Sequence, residues 1–341
     1  MTQDPPTTYR IALFTRKPRP LVFSIEHVFG LIRDHLPARY EPVWTESPHF
    51  TEGVVPRIRA VLWARRHQGD VNHVVGDIHF IDLLLAKRRT VLTIHDCEFL
   101  ERAGVVKRWL YRWIWLVLPI ARAGVVTVPA RSVAEDLRRY ARIDPARVRV
   151  IPDPVDPVFT REDRPFPAGE PLILQMGTRS NKNLERVIEA LDGMACRLLV
   201  VGVLRDEQRD LLRRHGVEHE AAAGLDIDEV AAAYRRADLV VFASTKEGFG
   251  LPVIEAQASG RPVVTSNIPP MSDVAGEGAV LVDPFDVASI RDGIRHVIED
   301  AELRQKIVAA GLANVRRFDP GAIAEAYATV YDEIVGSASR S

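Results

Sequence analysis

Leu239-Val240-Val241-Phe242 is an apolar run whose length suits a buried strand, and it leads into Ser244-Thr245-Lys246-Glu247-Gly248-Phe249-Gly250-Leu251-Pro252-Val253-Ile254-Glu255-Ala256. Pro252 suits the first position of a helix, where its missing N–H costs nothing. Gly260 stops that helix, and Arg261-Pro262 leads into a second strand, Val263-Val264-Thr265. The unit is strand, glycine loop, helix, strand.

Such a loop has a physical use. Gly248 and Gly250 let the backbone approach a ligand closely. Free N–H groups at the helix start, together with the helix dipole, suit a phosphate. Two carboxylates flank the loop. Glu247 precedes the glycines and reaches whatever lies just beyond a phosphate. Glu255 lies about one helical turn in, where a carboxylate suits a pair of vicinal hydroxyls. Phosphate between the two, with hydroxyls at both ends, describes a nucleotide-sugar. The plainer alternative is a surface loop with two solvated glutamates. Against it stands the full string. A glutamate, seven residues and a second glutamate, with Gly-Phe-Gly-Leu-Pro inside, resembles the donor-site signature of the family 4 glycosyltransferases.

The chain has 341 residues, long enough for two domains with separate cores. Lys+Arg 45 against Asp+Glu 46 leaves a net charge of -1, so no basic excess points to nucleic acid. Cys97 and Cys196 stand far apart in no metal-type spacing, and reduced thiols are expected. Met1 to Tyr9 is polar, without the apolar core of a signal peptide. The longest strongly apolar run, Trp113 to Ala121, is shorter than the roughly 20 residues a spanning helix needs. A cytoplasmic location is expected, with the inner face of the membrane as its variant.

From the start of the chain, Ile11 to Phe14 reads as a first strand and Thr15 to Pro20 as a basic, proline-rich loop. A helix from about Ser24 and another over Arg57 to Arg66 follow. Val71 to Val75 and Val91 to Ile94 read as strands. They end in Gly76-Asp77-Ile78-His79 and His95-Asp96. In open α/β sheets ligands bind beyond the carboxyl ends of strands, so Asp77, His79, His95 and Asp96 are candidates for one crevice. For His79 the expectation is a hydrogen-bonded core histidine. Lys107 to Arg122 carries Trp109, Tyr111, Trp113 and Trp115 among arginines. Its aromatics fall on several faces and Pro119 interrupts it, so a helix packed inside the first domain is expected, with a membrane-surface helix as the alternative. Val125 to Val128 is a strand, Ser132 with Glu135 reads as a capping box, and Val148 to Ile151 is the last strand of this half. The proline-rich segment from Pro152 to Glu170 reads as a linker.

The second half restarts with Leu172 to Met176, then Gly177-Thr178-Arg179-Ser180-Asn181-Lys182-Asn183. Asn183 is the expected cap of a helix carrying Leu184, Val187, Ile188 and Leu191. Arg179 and Lys182 place two cations where a diphosphate would lie. Arg197 to Val203 is a further strand. Asp226-Ile227-Asp228 could suggest a metal site, but it follows Ala221-Ala222-Ala223-Gly224, not read as a strand, and Glu229 stands three residues after Asp226; a helix cap is the better account. No metal is expected. Helices follow at about Val287 to Ile298, Ala301 to Arg316 and Pro320 to Ile334, with Asp286 and Asp319 as caps. The alternation of strands and helices argues two parallel-sheet domains.

The resemblance is strongest over Gly177 to Asp283 and Thr93 to Asp96. It implies the GT-B architecture: two Rossmann-like parallel-sheet domains facing a central cleft, one over residues 1–160 for the acceptor and one over 171–319 for the donor, with a helix over 320–336 crossing back. It implies a retaining, metal-independent transferase that uses a nucleotide-diphosphate sugar as substrate and needs no cofactor. Arg179, Lys182, Gly248, Phe249, Gly250, Leu251 and Glu255 would hold the donor. Glu247 and His95 would be catalytic, and Asp77 and Asp96 would face the acceptor. The loop over Gly177 to Asn183 looks like that of bacterial mannosyltransferases, so GDP-mannose is the first donor to try. The acceptor would be a glycan or lipid-linked sugar of surface polysaccharide assembly, with peripheral membrane contact in the latter case. Many family members have Gly-Gly after the first strand, where this chain has Lys17-Pro18-Arg19-Pro20. The alternatives are a nucleotide-sugar epimerase on the same fold, or a non-catalytic nucleotide-sugar-binding subunit.

Overall fold

A computed structural model describes residues 8–17, 24–49, 53–101 and 104–338. The chain divides into two compact units, one of Met1–Pro154 with Pro320–Ser341 and one of Val155–Asp319. Pro18 to Pro20 of the basic loop lie outside the described residues.

The first unit is built on a six-stranded sheet, ordered β2-β1-β3-β4-β5-β6 and parallel throughout. The strands are β1 (Tyr9–Thr15), β2 (Tyr40–Glu46), β3 (Val71–Val74), β4 (Thr90–Thr93), β5 (Val125–Val128) and β6 (Val148–Val150). β3, β4 and β5 are buried along their whole length, as strands covered on both faces must be. The second unit repeats the plan, in the order β12-β11-β10-β7-β8-β9. Its strands are β7 (Leu172–Met176), β8 (Arg197–Val201), β9 (Glu218–Ala222), β10 (Leu239–Phe242), β11 (Val263–Ser266) and β12 (Val280–Val282).

Two strands escape the sequence pattern. β2 contains Pro42 between glutamates, and β9 reads Glu218-His219-Glu220-Ala221-Ala222. Both lie at sheet edges, where proline and charge are tolerated because one side faces no partner strand. The alanines before Asp226 therefore do end a strand, contrary to expectation. The capping box stands all the same. Asp226 Oδ1 accepts from the Glu229 N–H at 2.9 Å, and Glu229 returns the bond to the Asp226 N–H at 2.8 Å.

Other local readings change. The helix Arg131–Tyr140 starts one residue before Ser132 and has no side-chain cap. Ser132 is thus already helical, and its Oγ is buried without a partner among the described residues. Asp286 caps its helix as expected, and Asp300 caps Ala301–Asn314, a helix for which the sequence offered no cap. The 107–122 segment is not one helix. It runs as Val105–Tyr111, a π-helical turn over Arg112–Val117, and Leu118–Arg122. Pro119 has no N–H to offer the carbonyl of Trp115, and that oxygen accepts from His79 Nδ1 at 2.8 Å. The segment also shows its side chains differently. Leu116 and Ile120 are buried, but Trp109, Leu110, Trp113 and Leu118 are exposed, so its aromatics are only partly inside.

The carboxy-terminal helix Pro320–Ala338 belongs to the first unit. Its Tyr331 is fully buried and meets His73 of β3, whose Nδ1 lies 2.8 Å from the hydroxyl. The other ring nitrogen of His73 lies 2.7 Å from Thr93 Oγ1. Burial pushes the His73 pKa down to about 3, so the ring is neutral and bridges two hydroxyls. Tyr331→Phe should leave one buried nitrogen without a partner and lower the stability of this unit by about 1–3 kcal/mol. Adding His73→Leu, which removes the orphaned group, should recover part of the loss. All five tryptophans of the chain lie between Trp44 and Trp115, so urea unfolding followed by tryptophan fluorescence reads the first unit alone.

Candidate functional site

In the second unit, β10 pairs with β7, with Leu239 opposite Ile173 and Val241 opposite Gln175. The strand order reverses here, and a reversal opens a crevice at the carboxyl ends. The loops leaving these two strands are the two singled out in the sequence. They are tied together. Thr245 N–H donates to Asn181 O at 2.8 Å, and Asn181 Nδ2 returns to Lys246 O at 3.1 Å. Asn183 has φ 60, the one positive φ at a non-glycine position among the described residues. Asparagine tolerates that conformation better than most residues. Its side chain does not cap the following helix as expected. Instead Nδ2 donates to Ala243 O at 2.8 Å and Pro284 O at 2.7 Å, fastening the first loop to the second.

These straps bring the expected cation and carboxylate together. Lys182 Nζ lies 2.7 Å from Glu247 Oε1, and each side chain is only 14% exposed. The lysine stem lies along Gly177, where a Cβ would come within 2.9 Å of Lys182 Cγ. Arg179, on the same loop, is exposed. Glu255 sits on the helix Leu251–Ala258, and its Oε2 accepts from the Tyr234 hydroxyl at 2.6 Å. Burial raises the Glu255 pKa to about 7, against the opposing pull of the Tyr234 hydrogen bond and of Lys182. One ammonium thus acts on two carboxylates.

The glycine loop is more specialised than its sequence suggests. Of Gly248 and Gly250, only Gly250 has a positive φ, 108°, at the cap of the helix. Pro252 occupies the second helical position, not the first. Phe249 turns inward, its ring 5.6 Å from that of Phe318. Its ring therefore anchors the loop, and only its backbone is left for a ligand.

In the first unit, Asp77, His79, His95 and Asp96 line one cavity of about 400 Å³, together with Tyr111 and Trp115. His79 is the buried, hydrogen-bonded histidine expected, and burial lowers its pKa. His95 Nε2 lies 3.0 Å from Val75 O. A carbonyl only accepts, so Nε2 carries a proton, and in the neutral ring Nδ1 is then an acceptor. Asp96 Oδ1 accepts from the Glu98 N–H at 2.9 Å, a local turn role. Asp77 is held by Arg16, whose Nη1 lies 2.9 and 3.0 Å from its two oxygens, and Arg16 also reaches Glu26 at 3.0 Å. Both acidic candidates therefore have structural work already.

Several contributors carry no sequence signal. Tyr234 reads as a core residue of its helix, Asn181 as a loop polar residue and Arg16 as part of a basic run. Asp153 reads as a linker residue. It is buried close enough to His95 to feel that ring, and burial raises its carboxyl pKa. A second cavity, of about 390 Å³ and lined by Arg164, Asp238 and Arg261, lies at the opposite, amino-terminal ends of β10 and β11. It contains none of the expected site residues.

Two family models match this chain. One, Glycosyltransferase Family 4, covers residues 8–159, and the other, Glycosyl transferases group 1, covers residues 159–313. The chain is similar to a phosphatidyl-myo-inositol mannosyltransferase of Mycobacterium leprae, 34% identical over 171 residues, 47% of this chain and 45% of that one. It thus spans less than half of that relative's length. A D-inositol 3-phosphate glycosyltransferase of Xylanimonas cellulosilytica is 28% identical over 310 residues, 80% of this chain and 74% of its own. Among solved structures, the Anabaena protein HepE in complex with UDP and glucose superposes with a TM-score of 0.76 at 17% identity, over 94% of this chain and 99% of that one. At that identity the likeness is one of fold.

The raised pKa of Glu255 has a signed consequence. The folded state keeps a proton that the unfolded state gives up near pH 4.5, so stability falls as pH rises from there to about 7 and is level above. Glu255→Gln, which keeps a partner for Tyr234 but cannot ionise, should lack this fall. Relative to the parent chain it should gain on the order of 3 kcal/mol between pH 5 and pH 8. Chemical unfolding followed by far-UV circular dichroism measures it, with the tryptophan signal separating the first unit.

Proposed function

Because the chain belongs to the family 4 glycosyltransferases, we propose that it is a retaining glycosyltransferase that takes its sugar from a nucleotide-diphosphate donor held on the second unit. The observation that carries this reading is the ion pair of Lys182 with Glu247, set between strapped loops where the strand order reverses. A bare surface loop has no need of such an arrangement. A diphosphate entering the crevice competes for Lys182, and Glu247 is then released towards the sugar next to it.

The chemistry follows from where charge grows. The bond from the anomeric carbon to the phosphate oxygen breaks, and its electron pair leaves with the diphosphate. Lys182, Arg179 and the N–H groups of Gly250 and Leu251 stabilise that charge. Glu247 holds sugar hydroxyls and favours positive character at the anomeric carbon. Glu255, once ionised, takes the two ribose hydroxyls. On the first unit we assign His95 to the transferred sugar, with Nδ1 as the acceptor of a hydroxyl hydrogen. GDP-mannose is the donor we favour, supported by similarity to proteins described as mannosyltransferases. The acceptor is a glycan or lipid-linked sugar in glycolipid or polysaccharide synthesis.

Thermal-shift measurements with GDP, UDP and ADP, each free and as the sugar conjugate, test the donor assignment. The guanine pair should raise the midpoint most, and Lys182→Ala should abolish the effect. With a confirmed donor and acceptor, Lys182→Ala and Glu247→Gln should each lower kcat/KM by about 10²–10³-fold. Near-parental turnover in both would sink the site. Proton NMR of the product reads the anomeric configuration, and an inverted linkage would rule out retention.

A further inference from the structure

The helix Val54–Arg66 is turned the wrong way round for a helix on a water-facing surface. Its fully buried residues are the small ones, Ala60 and Ala64, while Val54, Val55, Ile58 and Leu62 are 70, 58, 54 and 47% exposed. At about 100° per residue those four fall within an arc of roughly 100°, on the side away from the alanines. Ordinary amphipathic helices put their large apolar side chains against the core. A second apolar face lies on the segment over 105–122, where Trp109 is 61%, Leu110 45%, Trp113 39% and Leu118 41% exposed. The Trp109 and Trp113 rings stand 6.3 Å apart.

The charge carried by the two segments themselves has one sign. Residues 54–66 hold Arg57, Arg59, Arg65 and Arg66 and no acid; residues 105–122 hold Lys107, Arg108, Arg112 and Arg122 and no acid. This concentration stands in a chain whose net charge is only -1. Arg59, Arg65, Arg66, Arg108 and Arg122 are exposed. The two segments touch through Arg57, whose guanidinium lies 4.7 Å from the centre of the Trp115 ring, and both of these residues line the cavity that holds His95.

We propose that these two faces form a membrane-docking surface that seats the first unit on an anionic lipid bilayer. Aliphatic side chains and tryptophans enter the boundary between headgroups and chains, and arginines around them meet lipid phosphates. Among the described residues no helix is long and apolar enough to cross a membrane, so the contact is peripheral. Resting on the transferase reading, the surface also selects between the two acceptor classes. A sugar on a lipid carrier reaches the cavity from the bilayer, with Trp115 and Tyr111 as stacking surfaces and Asp96 and Glu98 as hydrogen-bond acceptors.

Vesicle co-sedimentation tests this with the full chain. Vesicles of phosphatidylcholine mixed with phosphatidylglycerol should retain the protein. Phosphatidylcholine alone should retain it at least tenfold less, and added salt should weaken the retention. The double variants Ile58→Glu/Leu62→Glu and Trp109→Glu/Trp113→Glu change exposed positions. Each should cut retention at least tenfold while leaving the nucleotide-induced thermal shift unchanged. Absence of retention on anionic vesicles, or retention that both variants keep, overturns the proposal. So does self-association in the absence of lipid that the same variants abolish, which would make the surface a protein interface. Nucleotide binding is read separately, so a failed donor assignment and a failed docking surface give different results.

Discussion

Parallel pairing of β7 with β10 is the constraint on which the candidate donor site depends. Chemically, the loops over 177–183 and 243–250 are unremarkable apart. Their strands are far apart in sequence, and a parallel neighbour can only be reached through a crossover. Once Val240 stands beside Leu174, both loops leave the sheet at the same end and side by side. Only then can Asn181 and Asn183 tie one to the other, and only then does Lys182 meet Glu247. The polar side chains that complete the site are consequences of strand order.

That ion pair is also an electrostatic compromise. Two carboxylates and one ammonium share a mostly buried region. The lysine contacts Glu247 directly and lowers the cost of ionising Glu255, which burial has raised. On the proposed reading, a dianionic ligand changes the balance by claiming the lysine that the carboxylates share. Buried charge of this kind contributes little net stability. Reinforcement of the fold is therefore a poor account of the pair, which is why the proposed function gives it a ligand.

The architecture was legible where burial on both faces forces continuous apolar runs. Leu239 to Phe242, Val125 to Val128 and Leu172 to Met176 announce themselves for that reason. The edge strands β2 and β9 did not, because an edge position tolerates Pro42 and Glu220, which a central strand would reject. Three-residue spacing was a sound guide to a local cap at Asp226 with Glu229 but not at Ser132 with Glu135, because the helix there begins before Ser132. Nor is a cap legible when the side chain is drawn away by tertiary contacts, as Asn183 is towards Ala243 and Pro284. Candidate site residues with a charge that needs neutralising, such as Lys182 and Glu247, stood out in the sequence, and the structure brings these two together. The residues that aim such groups, Tyr234 and Asn181, did not stand out, since nothing in their local spacing differs from ordinary core or loop positions. The same limit explains the tryptophan segment. Its mixed faces gave no clean stripe, because a π-helical turn at Arg112–Val117 shifts the angular register part-way along.

Pro119 cannot donate to the carbonyl of Trp115, and His79 Nδ1 does. That bond makes an imidazole from one wall of the cavity a rivet in the backbone of the tryptophan segment. Helical segments are normally held by bonds within themselves, and so can shift without disturbing their surroundings. This one also takes a bond from a side chain beyond it. The bond ties the tryptophan segment to the cavity wall, so a shift of the segment at Trp115 has to break it or carry His79 along.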